Sequence, residues 1–324
     1  MLRGKKGRTL SCAPLAFLSF WPFGADDQVS IQLRHTAPAA KRTASSILRV
    51  NTSLVLIPVS VTDPLNHPVI GLDKSSFRVF DSNVEQEVLS LAFEDAPLAV
   101  GVVFDTSGSM ERKLAKSRAA VAQLLRTANP EDEFFLVEFN NQANLTQPLT
   151  SETGAILSHL SSTKPNGRTA LLDAIAISLG ELKKSSKPRK ALVILSDGGD
   201  NRSRYTEREI RGMVGESDTL IYAMGIFETS GAHLSAEEIA GPRLLNDITE
   251  RSGGRLFTVG NLNELPDIAN RIGVELHNQY LLGYAPNNLH EDGKHHKVRV
   301  KVVPPGGLSS WRVDWRTGYR APVQ

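Results

Sequence analysis

Asp105, Ser107 and Ser109 form an Asp-x-Ser-x-Ser motif directly after the unbroken apolar run 98–104. A buried strand delivers the residues at its end to one edge of a sheet, so one carboxylate and two hydroxyls are expected together, with Gly108 allowing the tight turn between them. Carboxylate and hydroxyl oxygens are ligands that hard divalent cations such as Mg²⁺ and Mn²⁺ prefer. The motif therefore indicates one part of a metal site.

Two later segments offer further oxygen ligands. Thr169 lies in a loop at the start of a predicted helix, and Asp197 follows a second apolar run, residues 191–196. The carboxylates of Asp105 and Asp197 roughly neutralise a divalent ion, whereas the hydroxyls of Ser107, Ser109 and Thr169 add no charge. The ion then stays electrophilic, and one coordination position can accept a carboxylate from another molecule.

These three segments, in this order and at this spacing, resemble the metal-ion-dependent adhesion site of von Willebrand factor type A (vWA) domains. The resemblance covers about residues 97–277. It implies a doubly wound, mostly parallel α/β fold and Mg²⁺ or Mn²⁺ held by Asp105, Ser107, Ser109, Thr169 and Asp197. It also implies a protein partner that presents an Asp or Glu carboxylate, with Thr169 coordinating most directly when that partner is bound.

The region 97–277 alternates between apolar strand patterns and amphipathic helix patterns. Such alternation predicts a parallel sheet with helices on both faces. The predicted elements are strand 98–104, helix 110–127, strands 133–139 and 144–149, helix 169–184, strand 190–196, helix 206–215, strand 218–226, a helix ending near 252–254, strand 255–259 and helix 261–277.

β-strand patterns flank this region on both sides, in segments 47–96 and 278–324. Each segment is too small to enclose a core alone, so the two most simply combine into one β-sandwich into which the α/β domain is inserted. The first segment resembles the N-terminal part of bacterial, acidobacterial-type VWFA-related proteins. Asn66 and the pair Ser82-Asn83 stand where that family usually has glycine turns, and asparagine tolerates the left-handed backbone that such turns need.

The N-terminus predicts export. Four of the 37 basic residues lie within the first eight positions and precede an apolar stretch, residues 9–23. This pattern is typical of a secretory signal, assigned to 1–25 and followed by a polar linker, 26–46. The predicted location is the periplasm, the cell envelope or the exterior, and an uncleaved segment remains the one route to a membrane. Beyond the first eight residues, 33 basic residues face 35 acidic ones, so bulk charge gives no indication of nucleic-acid binding.

Enzymatic readings fit the residues less well. Phosphoryl-transfer enzymes of the haloacid dehalogenase type need a second aspartate two residues after the first, where this chain has Ser107. No Gly-x-Ser-x-Gly motif is present. His159 lies in a predicted helix. The pair His295-His296 lies at the predicted solvent-exposed start of a strand, without a third metal ligand nearby. Thr106, Asp200 and Asn201 either support the metal ligands or act as ordinary turn residues.

The sequence thus predicts a non-enzymatic protein that binds an acidic partner through Mg²⁺ or Mn²⁺, as an adhesion module or envelope scaffold. Two alternatives remain open at this point. One is an assembly or chaperone-like cofactor of an ATPase complex, and the other is a structural envelope protein whose metal only stabilises the fold. The oligomeric state and the identity of the partner are not indicated by the sequence.

Overall fold

The computed structural model of the chain describes residues 54–94, 96–227, 236–286, 293–304 and 310–321. The predicted signal segment and linker lie outside these ranges, as do residues 47–53 of the first β segment. Within them the chain forms one six-stranded sheet and two four-stranded sheets. None of the helices in these ranges is both long and apolar enough to span a lipid bilayer.

In chain order the described strands are β1 (Val55–Thr62), β2 (Phe77–Asp81), β3 (Val84–Gln86), β4 (Val88–Glu94), β5 (Leu98–Asp105), β6 (Glu133–Phe139), β7 (Ala143–Thr150), β8 (Arg189–Ser196), β9 (Thr219–Gly225), β10 (Leu256–Thr258), β11 (Gln279–Tyr284), β12 (His295–Val302), β13 (Arg312–Trp315) and β14 (Gly318–Arg320). The six-stranded sheet has the order β10-β9-β8-β5-β6-β7, and only the edge strand β7 is antiparallel. Every residue of the central strand β5 is buried, as expected for a parallel strand covered on both faces. The predicted parallel sheet is confirmed.

In chain order the described helices are α1 (Leu114–Leu125), α2 (Thr153–Ser162), α3 (Leu171–Leu182), α4 (Glu207–Glu216), α5 (Ala236–Ser252) and α6 (Leu265–His277). Helices α1, α2 and α6 pack on one face of the central sheet, and α3, α4 and α5 pack on the other. The helix predicted at 110–127 is shorter than expected. A 3-10 turn, Gly108–Met110, comes first, and α1 begins only at Leu114.

The strands before and after the α/β domain form two antiparallel sheets, with the orders β13-β1-β11-β4 and β14-β12-β2-β3. Each sheet combines strands from both flanking segments, because β1 pairs with β11 and β2 pairs with β12. The two sheets share one hydrophobic core, which includes Ile57, Val79, Tyr280 and Val300. An α/β domain is therefore inserted in an all-β sandwich, as the sequence predicted.

Two turns of the sandwich use left-handed residues other than glycine. Asn66 has a φ of 63°, and Ser82 and Asn83 have φ values of 49° and 69°. Asparagine accepts this conformation more readily than most residues, since its short polar side chain bonds locally. The turns expected at these positions are present without glycine.

The sandwich joins the α/β domain at the amino-terminal edge of the central sheet. β4 leads into β5, which starts at Leu98, and α6 ends at His277 just before β11. Asp132, the residue before β6, accepts a hydrogen bond from the Leu98 backbone N–H at 2.9 Å and lies 3.3 Å from His277 Nε2. Both chain crossings are thus held at the edge opposite the carboxyl ends of the strands.

A buried ion pair lies at this junction. Arg255 Nη2 donates to Glu275 Oε2 at 2.8 Å, and both side chains are 3% exposed. The Tyr222 hydroxyl donates to Glu275 Oε1 at 2.9 Å. Burial raises the pKa of Glu275, and the Arg255 cation opposes that rise. Gln279 Nε2 lies 3.2 Å from Ser60 Oγ and 3.4 Å from the Tyr222 hydroxyl, so the polar cluster connects α6 and β9 to the sandwich.

Replacing Arg255 is expected to destabilise the whole described unit. Arg255→Met leaves the Glu275 carboxylate buried without its partner, and such a loss costs about 3–5 kcal/mol. Urea unfolding followed by circular dichroism measures the difference. Arg208→Met removes an exposed arginine of α4 and serves as the control, with a change of less than about 0.5 kcal/mol. Equal losses in the two variants would show that the ion pair does not stabilise the junction.

Candidate metal centre

The candidate ligands lie at the carboxyl edge of the central sheet. Asp105 is the last residue of β5, and Asp197 directly follows β8. β5 and β8 are hydrogen-bonded neighbours with Phe104 paired to Leu195, so the two aspartates emerge side by side. Thr169 lies just before α3 at the same edge. The sheet topology thus brings the three predicted segments together.

Asp105 is fully buried, and the fold supplies only part of the compensation its charge needs. Its Oδ1 accepts a hydrogen bond from the Ser107 backbone N–H at 2.9 Å, and its Oδ2 accepts one from Ser196 Oγ at 2.6 Å. Burial, followed by the negative charge of Asp197, raises the pKa of Asp105 to about 7. Hydrogen bonds from Ser107 and Ser196 act in the opposite direction without cancelling the rise.

The hydroxyl ligands connect the buried carboxylates to the surface. Ser107 is buried and Ser109 is exposed, and their Oγ atoms lie 3.1 Å apart. Thr169 is 6% exposed. The backbone N–H of Gly108 donates to the Gly167 carbonyl at 3.1 Å, which joins the Asp-x-Ser-x-Ser loop to the loop that carries Thr169. An ion held here would therefore be reached from solvent past Ser109.

Sequence reasoning did not identify Lys113 as part of this centre. Lys113 lies in the chain between the 3-10 turn and α1, and its Nζ is 3.5 Å from Asp197 Oδ2. The two side chains are 8% and 7% exposed. A lysine at the start of a predicted helix normally points into solvent. Its position eight residues after Asp105 is the one feature of the sequence that could have indicated a place near the candidate ligands.

Thr106, Asp200 and Asn201 hold the loops in place. Thr106 Oγ1 donates to the Phe139 carbonyl at 3.0 Å. Asp200 Oδ1 accepts from the Leu172 backbone N–H at 3.3 Å, while burial raises its pKa. Asn201 Oδ1 accepts from the Thr169 backbone N–H at 3.1 Å. These contacts fix the backbone that presents the ligands.

A close backbone approach positions the loop after Asp197. Gly198 has a φ of 79°, and a Cβ built there would lie 2.8 Å from the backbone of Gly241 in α5. Any side chain at position 198 would push this loop away from α5 and displace Asp197 with it.

The predicted histidine environments are partly wrong. His296 does not lie at a solvated strand entry, because it is 9% exposed and stacks on Tyr319 at 5.6 Å between ring centroids. Both His295 and His296 belong to β12 of the sandwich, which the α/β domain separates from the carboxyl edge. Neither residue contributes to the candidate centre.

The donor set fits a hard divalent cation. It consists of two carboxylates and three hydroxyls, and across the described ranges no group of three or more His, Cys, Asp or Glu side chains is placed to hold a metal. The softer nitrogen and sulfur ligands that favour Zn²⁺ are thus not part of it. Burial and the neighbouring Asp197 carboxylate raise the pKa of Asp105, and a cation placed between two carboxylates would act in the opposite direction.

Comparison with known proteins agrees with this geometry. Residues 100–199, which contain all five candidate ligands, match the family model described as the von Willebrand factor type A domain. The vWA match lies within the α/β domain, over residues 100–199. The family expected from the three-part motif is therefore confirmed for this part of the chain.

Curated relatives match part of the chain at low identity. Mouse inter alpha-trypsin inhibitor, heavy chain 4 is 28% identical over a 109-residue alignment that covers 30% of this chain and 12% of the relative. Bovine inter-alpha-trypsin inhibitor heavy chain H4 is 25% identical over a 178-residue alignment that covers 49% of this chain and 19% of the relative. The chain thus spans less than a fifth of the length of these two relatives.

Solved structures match the chain at low sequence identity. A von Willebrand factor type A protein from Catenulispora acidiphila shares 13% identity with a TM-score of 0.49, covering 85% of this chain and 75% of that one. The PilB minor pilin from Streptococcus sanguinis shares 18% identity with a TM-score of 0.44, covering 56% of this chain and 62% of that one.

The buried Asp105 carboxyl should make the metal-free protein less stable as the pH rises. The pKa of Asp105 is about 7 in the folded chain, whereas an ordinary aspartate has a pKa of 3.8, so the folded state binds an extra proton between these two pH values. Stability without metal is therefore expected to fall from pH 4 to pH 7 and to level off above. Asp105→Asn removes this dependence and should raise the midpoint of thermal unfolding at pH 8 in chelator by about 2–4 °C per kcal/mol recovered.

Thermal unfolding across this pH range measures the effect, with the exposed Asp73→Asn as the control. The control should unfold at the wild-type temperature at each pH. If the unfolding temperatures of the wild type and of Asp105→Asn change with pH in parallel, the pKa of Asp105 is not raised in the folded chain.

Proposed function

We propose that the chain is a divalent-metal-dependent protein-binding module that recognises an acidic group of its partner. The observation that carries the proposal is the pair of buried carboxylates, Asp105 and Asp197, at the ends of neighbouring strands. Ser107, Ser109 and Thr169 are the proposed neutral ligands. We take Mg²⁺ or Mn²⁺ as the ion, because the whole donor set is oxygen.

The arrangement suits recognition better than storage of an ion. Two carboxylates balance the charge of a divalent cation without exceeding it, and hydroxyl ligands leave its attraction for a further anion intact. When bound, the metal supplies an electrophilic position for a carboxylate oxygen. The chain supplies the exposed Ser109 and, on the loop that bonds to Gly108, Thr169. An Asp or Glu side chain of a partner protein is the ligand that fits this chemistry.

The domain type supports a non-enzymatic role. vWA domains are in general interaction or adhesion modules. We infer that the protein acts by binding, with no nucleic-acid partner, and leave its oligomeric state open.

Export completes the proposal. The basic and apolar N-terminal sequence, outside the described residues, supports a location in the periplasm, in the cell envelope or outside the cell. An adhesion or scaffold role in the envelope is consistent with such a location, and membrane attachment is proposed only through an uncleaved N-terminal segment.

Direct metal binding is the first test. Isothermal titration of the chelator-treated protein with Mg²⁺ should show one site, with Mn²⁺ also bound and Zn²⁺ not preferred. Asp105→Ala should abolish binding because it removes one of the two anionic ligands. Asp73→Ala, at an exposed position of the sandwich, should bind as the wild type does. Equal affinities in the wild type and Asp105→Ala would refute the assignment.

Partner binding is the second test. Capture from bacterial envelope extract with the immobilised protein should require Mg²⁺ and be lost with chelator or with Asp105→Ala. Thr169→Ala should weaken capture more than it weakens Mg²⁺ affinity, since the resemblance assigns this hydroxyl to the liganded state. Capture that persists in chelator, or in the Asp105→Ala variant, would separate partner binding from the metal.

A further inference from the structure

Lys113 places a permanent positive charge against the candidate metal ligands. Its Nζ lies 3.5 Å from Asp197 Oδ2, and residue 113 is 6% exposed overall. Lysine is seldom buried unless its charge is paired, because removing an ammonium group from water is costly. A buried lysine at this position therefore needs an explanation beyond helix formation.

The backbone of Lys113 is fixed on both sides. Its N–H donates to the Met110 carbonyl at 2.9 Å, and its own carbonyl accepts from the Ser117 N–H at 3.0 Å and from Ser117 Oγ at 3.1 Å. Leu114, the next residue, is 6% exposed. The backbone of this lysine is therefore held in place, with its Nζ 3.5 Å from Asp197 Oδ2.

The charges at the centre then do not balance for a metal alone. When both carboxylates are ionised, Asp105 and Asp197 contribute two negative charges, and Lys113 contributes one positive charge. A divalent ion changes the sum from −1 to +1, which is unfavourable in a buried site. The neighbouring Asp173 carboxylate does not change this count, because it accepts hydrogen bonds from the Arg204 backbone N–H and Nε. One added carboxylate would bring the sum to zero.

We propose that Lys113 makes metal binding depend on an anionic ligand, so that the metal alone binds weakly and the metal with a carboxylate binds tightly. This inference rests on the proposed metal-dependent function and names how that site is regulated. Because linkage is reciprocal, an anion that tightens metal binding is itself bound more tightly by the metal-loaded protein. Lys113 thus acts as a specificity-determining residue that favours partners with a negative charge.

The probe is acetate, a simple carboxylate. The full chain is titrated with Mg²⁺ by calorimetry, at constant ionic strength, with chloride or with acetate as the anion and with free Mg²⁺ determined in each buffer. Acetate should tighten Mg²⁺ binding to the wild type. Lys113→Met keeps the length of the side chain but removes the charge, so it should bind Mg²⁺ about tenfold or more tightly in chloride and respond less to acetate.

Matched variants separate charge from structure. Lys113→Arg keeps the charge and should behave as the wild type, and Lys116→Met removes an exposed lysine of α1 and should do the same. If Lys113 merely supports Asp197, Lys113→Met should bind Mg²⁺ more weakly instead of more tightly. Lys113→Gln, a polar replacement, serves the same comparison if the methionine variant does not fold by circular dichroism.

Each result decides between the claims. A wild type that binds Mg²⁺ equally in chloride and acetate overturns the coupling without any variant. A folded Lys113→Met or Lys113→Gln with wild-type or weaker Mg²⁺ affinity overturns the role of Lys113 and leaves the metal site intact. A wild type that binds no Mg²⁺ in either buffer overturns the proposed function together with this inference.

Discussion

The negative charge buried at the ends of two neighbouring parallel strands is the constraint on which this site depends. β5 and β8 deliver Asp105 and Asp197 side by side, and the protein itself compensates them only in part, through Ser107, Ser196 and Lys113. Burial of a carboxylate without full compensation costs stability, which the raised pKa of Asp105 reflects. Proteins retain a destabilising buried charge where that charge serves a function. A cation bound at this edge would restore the lost stability.

The surrounding loops keep these oxygens in place through local hydrogen bonds and one close backbone approach. Asn201 accepts a hydrogen bond from the Thr169 backbone, and Gly108 donates one to Gly167 in the loop before Thr169. Gly198 lets the loop after Asp197 approach α5 closely. Backbone and amide contacts hold the geometry, so the hydroxyls remain available to a ligand. A preorganised site of this kind loses little conformational freedom on binding, which favours affinity for a partner.

The sequence predicted those parts of the fold and site that depend on local pattern. Apolar runs ending in aspartate located β5 and β8, and the alternation of elements predicted the parallel sheet and its helices. The buried position of Lys113 depends on its contact with Asp197, which is 84 positions later in the chain. The burial of His296 involves its contact with Tyr319, which is 23 positions later. A local sequence pattern contains neither contact. The 3-10 turn before α1 was missed because its residues also satisfy a helical pattern.

The position of the β-sandwich leaves the candidate site free. Both chain crossings lie at the amino-terminal edge of the central sheet, where Asp132 contacts Leu98 and His277, so the sandwich covers the edge opposite the ligands. A movement of α6 coupled to ligand binding would have to break the buried pair of Arg255 and Glu275 at its far end. Separating such a pair is costly, since each charge is left without water or partner. The junction therefore favours a rigid connection between the sandwich and the sheet edge that carries Asp105 and Asp197.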